Sequence, residues 1–240
     1  MREWIFKNRL TVILGAFVVA LVAAMTQSLW IDSKWIWIRP LAFWTDVPWA
    51  PTTVLIGSGL LCLFAFGLRT AAEARLREVV YGQGETASLI KQGPFAWLRN
   101  PLYLGTWSFF SGAVALWTPV LIWAGLSLLF FFALDAMARH EETILIDQYG
   151  DEFKDYCRRV RRWLPWPHRL PRTSSPGLSD YSWAALGNLG LASLGLFRIA
   201  VAFDLPVRYI GPVNVICLVI WIAVVVSRRY DRTESEDKNR

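Results

Sequence analysis

Runs of apolar residues close to bilayer-crossing length, separated by clusters of arginine and lysine, govern what this chain can fold into. A membrane helix needs roughly 20 mainly apolar residues. Six candidates meet or approach that length: Leu10–Ile31, Pro51–Leu68, Leu102–Trp117, Val120–Ala138, Trp183–Phe203 and Tyr209–Ser227. The third is short and meets the fourth at Trp117-Thr118-Pro119, a turn too tight for a free loop, so the pair is expected to form a helical hairpin. The fifth and sixth are expected to form another through Asp204-Leu205-Pro206. Backbone N–H and C=O groups in hydrocarbon must be satisfied within the segment, which leaves helices as the spanning structure for such runs. The expectation is an all-α, polytopic transmembrane protein of about six spans, with short helices on the cytoplasmic side.

Charge gives the orientation. Arg69, Arg75, Arg77, Lys91 and Arg99 follow the second run, and eight basic residues from Arg139 to Arg172 follow the fourth. Arg2, Lys7 and Arg9 precede the first, and Arg228, Arg229, Arg232, Lys238 and Arg240 follow the last. The opposite side holds only Lys34, Arg39 and Arg208. Because basic loops stay in the cytoplasm, both termini are expected there, with the protein in a bacterial inner membrane. The first run is too long for a cleaved signal peptide and lacks a small-residue cleavage site, so it reads as a retained span. Trp30, Trp35, Trp37, Trp44 and Trp49 then form an anchoring belt at the outer interface. Net charge is +6. The basic residues border apolar runs, so an anionic lipid surface explains them better than nucleic acid does. Three cysteines without disulfide or metal spacing and two histidines give no metal centre. Organisation follows: residues 1–50 as the first span with its outer loop, 51–168 as a membrane core, 169–182 as a Ser/Pro/Gly-rich linker, and 183–240 as a C-terminal hairpin with its tail.

Two segments flank the central hairpin on the cytoplasmic side. Gly93-Pro94 makes a turn, Asn100 suits a helix N-cap, and Pro101 suits the first helical position. Across the hairpin, Arg139-His140-Glu141-Glu142 returns to the level of Arg99 and Asn100. Adjacent carboxylates are unfavourable at a helix C-terminus, so the helix is expected to continue past them, with another resuming after Gly150. From spacing alone, an ordinary capped helix start with a snorkelling arginine and a solvated acidic face fits as well as a ligand site.

Gly93–Gly105 resembles the signature of the isoprenylcysteine carboxyl methyltransferase family, a Gly-x-Tyr-x-x-x-Arg-His-Pro-x-Tyr-x-Gly pattern. The family then has a helical hairpin, a Glu-Glu-x-x-Leu element, an aromatic-Gly-x-x-aromatic-x-x-Tyr run and a basic-to-Pro ending. Here these are Glu141 to Leu145, Tyr149 to Tyr156 and Arg162 to Pro165, so the resemblance covers about Thr53–Pro167. Asn100 stands where that family has His, and Asn-Pro-x-Tyr-x-Gly is similar to the related phospholipid N-methyltransferases. Phe95 replaces a common Tyr. Met137 occupies the position of an arginine that holds prenylcysteine substrates.

The resemblance implies S-adenosylmethionine as methyl donor, held by Ser88, Leu89, Ile90, Phe95, Asn100, Pro101, Tyr103 and Glu142. It implies catalytic roles for Arg99, meeting a carboxylate or phosphate, and for Glu141, orienting the acceptor or taking its proton. The acceptor would be a lipid or lipidated molecule entering from the bilayer, methylated on a carboxyl oxygen or a phospholipid amine. The alternatives are a sterol-reductase-like membrane enzyme, which would use a nicotinamide cofactor, and a non-enzymatic membrane scaffold. Donor binding separates both from the methyltransferase reading.

Overall fold

The computed structural model describes residues 50–82, 89–115, 120–164 and 176–238. The expected first span, the outer tryptophan belt, Ser88 and the Trp117-Thr118-Pro119 turn lie outside these residues. The described elements are all helical: α1 (Ala50–Gly82), a 3-10 turn (Gly93–Ala96), α2 (Pro101–Ala115), α3 (Val120–Tyr149), α4 (Asp151–Arg159), α5 (Leu178–Gly187), α6 (Leu189–Ala202) and α7 (Val207–Lys238). Three stretches within them are long and apolar enough to cross a membrane: Thr52–Arg77, Ile122–Tyr149 and Arg208–Ser227. A fourth crossing exists if α5 and α6 count as one span bent by 66°. The expected third span is represented by α2, whose 15 residues extend only about 22 Å. The described residues therefore carry three or four spans, not the full set of six.

Both expected hairpins form. Antiparallel α2 and α3 are stapled by two indoles: Trp107 Nε1 donates to Ser127 O and Trp123 Nε1 to Ser111 O, each at 2.9 Å. In an apolar layer an indole N–H needs such a partner. Phe110 and Phe130 pack at 4.2 Å between ring centroids and join Val114, Leu134 and Met137 in a buried cluster. At the second hairpin, Trp221 on α7 donates to Gly187 O at 2.8 Å, and Ser193 on α6 bonds Asn214 on α7. Most of α7's other apolar side chains, Val213, Ile216, Val219 and Val226 among them, are exposed, as expected of a face covered by lipid.

The expected linker ends early, because α5 begins at Leu178. The break between α5 and α6 falls at Asn188, whose φ of −118° leaves the helical region. That break lies against protein. Asn188 Oδ1 accepts from Arg69 Nε at 2.9 Å, and its nitrogen donates to Glu73 Oε2 at 2.9 Å. Arg69 also donates to Glu73 and to Thr106. Irregular backbone at membrane depth is tolerated where buried polar groups compensate in this way. α1 thus packs between α2 on one side and α5–α6 on the other, and the C-terminal hairpin is part of the core.

Candidate functional site at the open end of the central hairpin

Gly93 adopts φ +61°, the left-handed region that favours glycine, and Pro94 starts the 3-10 turn. The turn is held from α4 by the Tyr156 hydroxyl, which donates to Phe95 O at 2.7 Å. α2 begins at Pro101, and Leu104 N–H donates to Asn100 O at 3.1 Å, so Asn100 occupies the expected cap position. Its side-chain amide nitrogen instead turns across the hairpin to Glu142 Oε1 at 3.3 Å. As expected, α3 runs past Glu141 and Glu142 to Tyr149, and α4 resumes after Gly150 (φ +56°).

Glu142 is the hub. It is 7% exposed. Arg162 embraces it with two bonds, Nε to Oε1 at 3.0 Å and Nη2 to Oε2 at 2.5 Å. Arg99 Nη1 approaches Oε1 at 3.3 Å. One buried carboxylate thus gathers two guanidiniums and an amide, the arrangement that makes a buried charge tolerable. Beside it, the Tyr103 hydroxyl donates to Glu141 Oε1 at 2.8 Å. Arg99 Nη1 also contacts the Cys157 sulfur at 2.9 Å, while Arg99 Nε is buried with no hydrogen-bond partner.

A strap after α4 closes over this hub. Arg99 N–H donates to Arg161 O at 3.0 Å. Trp163 Nε1 donates to Asp135 Oδ1 at 2.8 Å and its ring packs 4.9 Å from that of Phe131. Asp135 also takes Arg139 at 2.6 Å and Arg162 at 3.6 Å. The floor is apolar: Tyr103 and Trp163 both pack on the Phe110–Met137 cluster. Electrostatics follow from these contacts. The bond to Glu142 pushes the Arg162 guanidinium up, so it stays charged. Burial pushes the Cys157 thiol up despite the opposing pull of Arg99, and burial raises the Tyr156 phenol.

The expected site residues therefore separate. Arg99, Asn100, Tyr103, Glu141 and Glu142 come together, with Pro101 buried beneath them as the first residue of α2. Leu89 packs instead with Phe153, Tyr156 and Val160, and Phe95 is tied to Tyr156, so these two lie toward α4. Ile90 is half-buried beside Leu89. Sequence reasoning missed Arg162, Asp135 and Trp163. Asp135 had a signal, because it precedes Glu142 by two helical turns and so shares its face. Arg162 had none within its own run, where four arginines look alike. Among the described residues no His/Cys/Asp/Glu group can hold a metal ion.

Membrane-length helices, one of which carries Glu142 of a buried Arg–Glu–Asn hub at a hairpin end, define an integral membrane protein with a polar site at the mouth of its helical core. The phospholipid methyltransferase family model matches residues 52–152, the stretch that carries Arg99, Asn100 and Glu142 but not Arg162. The chain is similar to a methanethiol S-methyltransferase of Mycobacterium tuberculosis, with 34% identity over 53% of this chain and 48% of that protein. It is similar to a nickel-cobalt-cadmium resistance protein, NccN, of Alcaligenes xylosoxydans xylosoxydans, with 30% identity over 46% of this chain and 52% of that protein. It also resembles the protein-S-isoprenylcysteine O-methyltransferase of Rattus norvegicus, with 31% identity over 52% of this chain and 45% of that protein. The chain spans about half the length of these relatives. No solved structure matches it.

Proposed function

We propose that this protein is an S-adenosylmethionine-dependent methyltransferase acting on a lipid-like or amphiphilic acceptor at the cytoplasmic face of a bacterial inner membrane. The observation that carries this reading is the meeting of residues 99–103 with Glu141 and Glu142 at one buried hub. The names of two similar proteins give different acceptors, methanethiol and isoprenylcysteine, and share methyl transfer. The donor is therefore the common element.

The residues present fit such a donor. Arg99 Nε is a buried N–H without a partner, suited to a carboxylate such as the donor's amino-acid end carries. Asn100, Pro101, Tyr103 and Glu142 are assigned to the donor with it, in the sequence order of the signature, and Ser88, Leu89, Ile90 and Phe95 to the approach from the preceding segment. S-adenosylmethionine supplies, when bound, an electrophilic methyl group with a good leaving group. Displacement of that kind needs alignment more than acid–base chemistry, and a closed, water-poor site supplies it. Glu142 is committed to two guanidiniums, so Glu141, held by the Tyr103 hydroxyl, orients the acceptor or takes its proton. Lateral entry from the bilayer matches an apolar acceptor. The Lys/Arg distribution supports a cytoplasmic hub and cytoplasmic termini.

Calorimetric titration of the purified protein with S-adenosylmethionine tests the donor. Incubating it with labelled donor and a membrane-lipid extract identifies the acceptor class. Saturable donor binding and labelled product that falls at least 10-fold in Glu141→Gln are expected. No saturable binding, together with a Glu141→Gln variant that labels like wild type, sinks the reading.

A further inference from the structure

α2 is short, and its far end lies inside the helical core. The last four carbonyls of any α-helix lack an amide partner within it. Gly112 and Ala113 lie in the last turn of α2. Arg198, from α6, donates through Nη1 to Gly112 O and through Nη2 to Ala113 O at 3.1 Å. Arg198 is 4% exposed. It forms no ion pair with a described carboxylate, and its remaining contact is the Cys62 sulfur at 3.8 Å. This cation therefore sits at the negative end of the α2 dipole, donating to two carbonyls of its last turn.

The surroundings leave no slack. A Cβ on Gly112 would lie 2.8 Å from Ser58 O and 3.1 Å from the Cys62 sulfur. A Cβ on Gly59 would lie 2.8 Å from Gly195 O, and one on Gly195 would lie 2.8 Å from Gly59 O. Helices α1, α2 and α6 thus approach closely around Arg198, with the Ile199 side chain also against Gly59 and the Leu63 side chain against Gly195. At the other end of α2, Asn100 and Tyr103 meet Glu142 and Glu141. Nine residues, about 13 Å of rigid helix, separate Tyr103 from Gly112.

We infer that Arg198 is a positioning residue for the donor site: by capping α2 from a hairpin beyond the family segment, it sets where Asn100 and Tyr103 stand against α3. The inference rests on the methyltransferase reading for its ligand. It also gives the C-terminal hairpin a role within the site's framework.

The test uses the full-length chain in lipid nanodiscs, with wild type, Arg198→Met and Arg198→Lys compared. S-adenosylmethionine affinity is read by calorimetry, and amide exchange over 101–115 by mass spectrometry. With Met, exchange in the last turn of α2 accelerates and the Kd for S-adenosylmethionine rises at least 10-fold. Lys, which keeps a cation at the α2 terminus, recovers most of that affinity. Should the Met variant not be recovered folded, Arg198→Gln takes its place in both measurements. A variant with faster α2 exchange but wild-type Kd overturns the positioning role, as does weakened binding with unchanged exchange, or Lys no better than Met. A wild type that binds no S-adenosylmethionine overturns the methyltransferase reading and this inference together. A wild type that binds, matched by the Met variant, overturns this inference alone.

Discussion

Replacing Glu142 with Gln removes one charge and little volume, so its effect isolates what the hub contributes. The carboxylate accepts both Arg162 bonds and takes Arg99 and Asn100 at 3.3 Å. The Arg99 and Arg162 side chains are 15% and 23% exposed, so solvent screens them only partly. Breaking a buried pair typically costs about 3–5 kcal/mol because the remaining charge is stranded. Glutamine keeps one acceptor oxygen but turns an N–H toward a guanidinium, so about 3 kcal/mol is the expected loss. At roughly 2–4 °C per kcal/mol for a chain of this size, the melting temperature falls by about 6–12 °C. Glu141→Gln is the comparison: the Tyr103 hydroxyl that bonds Glu141 is a neutral donor, an amide oxygen accepts it equally well, and changing that bond costs about 1 kcal/mol or less. A thermal-shift series on the purified proteins in one detergent reads both. If Glu142→Gln melts within about 3 °C of wild type, half the smallest expected shift, or Glu141→Gln falls as far, Glu142 is not the hub of this fold.

Gly195→Ala forces a Cβ to 2.8 Å from Gly59 O and 2.9 Å from Leu63 Cγ, and overpacking of that kind costs about 1–3 kcal/mol. Its melting temperature should fall, while that of Gly67→Ala, which meets nothing within 4 Å, should hold or rise with helix propensity; equal shifts would remove the α1–α6 contact from the account. Burial raises the Cys157 thiol, so it stays protonated through neutral pH and its thiolate builds up only in alkali. The rate of maleimide labelling at Cys157, read by peptide mass spectrometry, should keep climbing past pH 9, and a plateau below pH 8 contradicts the burial described.

Much of the architecture was legible one residue at a time. Apolar length gave the helices, because hydrocarbon permits no other solution for such a run. Pro101 gave the start of α2 and Gly150 the break before α4, because each fixes a local backbone state. Glu141 and Glu142 were placed opposite Asn100 by the tight hairpin alone.

Pairing is what the chain alone left open. Arg162 is one of four arginines in a run of five residues, and nothing local distinguishes the one that clasps Glu142 from those that face water. Asn188 reads as a helix breaker, and only the approach of α1 makes it the partner of Arg69 and Glu73. Arg198 read as a costly cation that must face protein or water. Which protein groups it would meet depended on where α2 stops. Helix formation is decided by neighbours in sequence, whereas the partner of a buried charge is decided by which helix end lies within reach of its side chain. For that reason the sequence determined the helices and the family signature, and the tertiary structure decided the hub at Glu142 and the cap at Arg198.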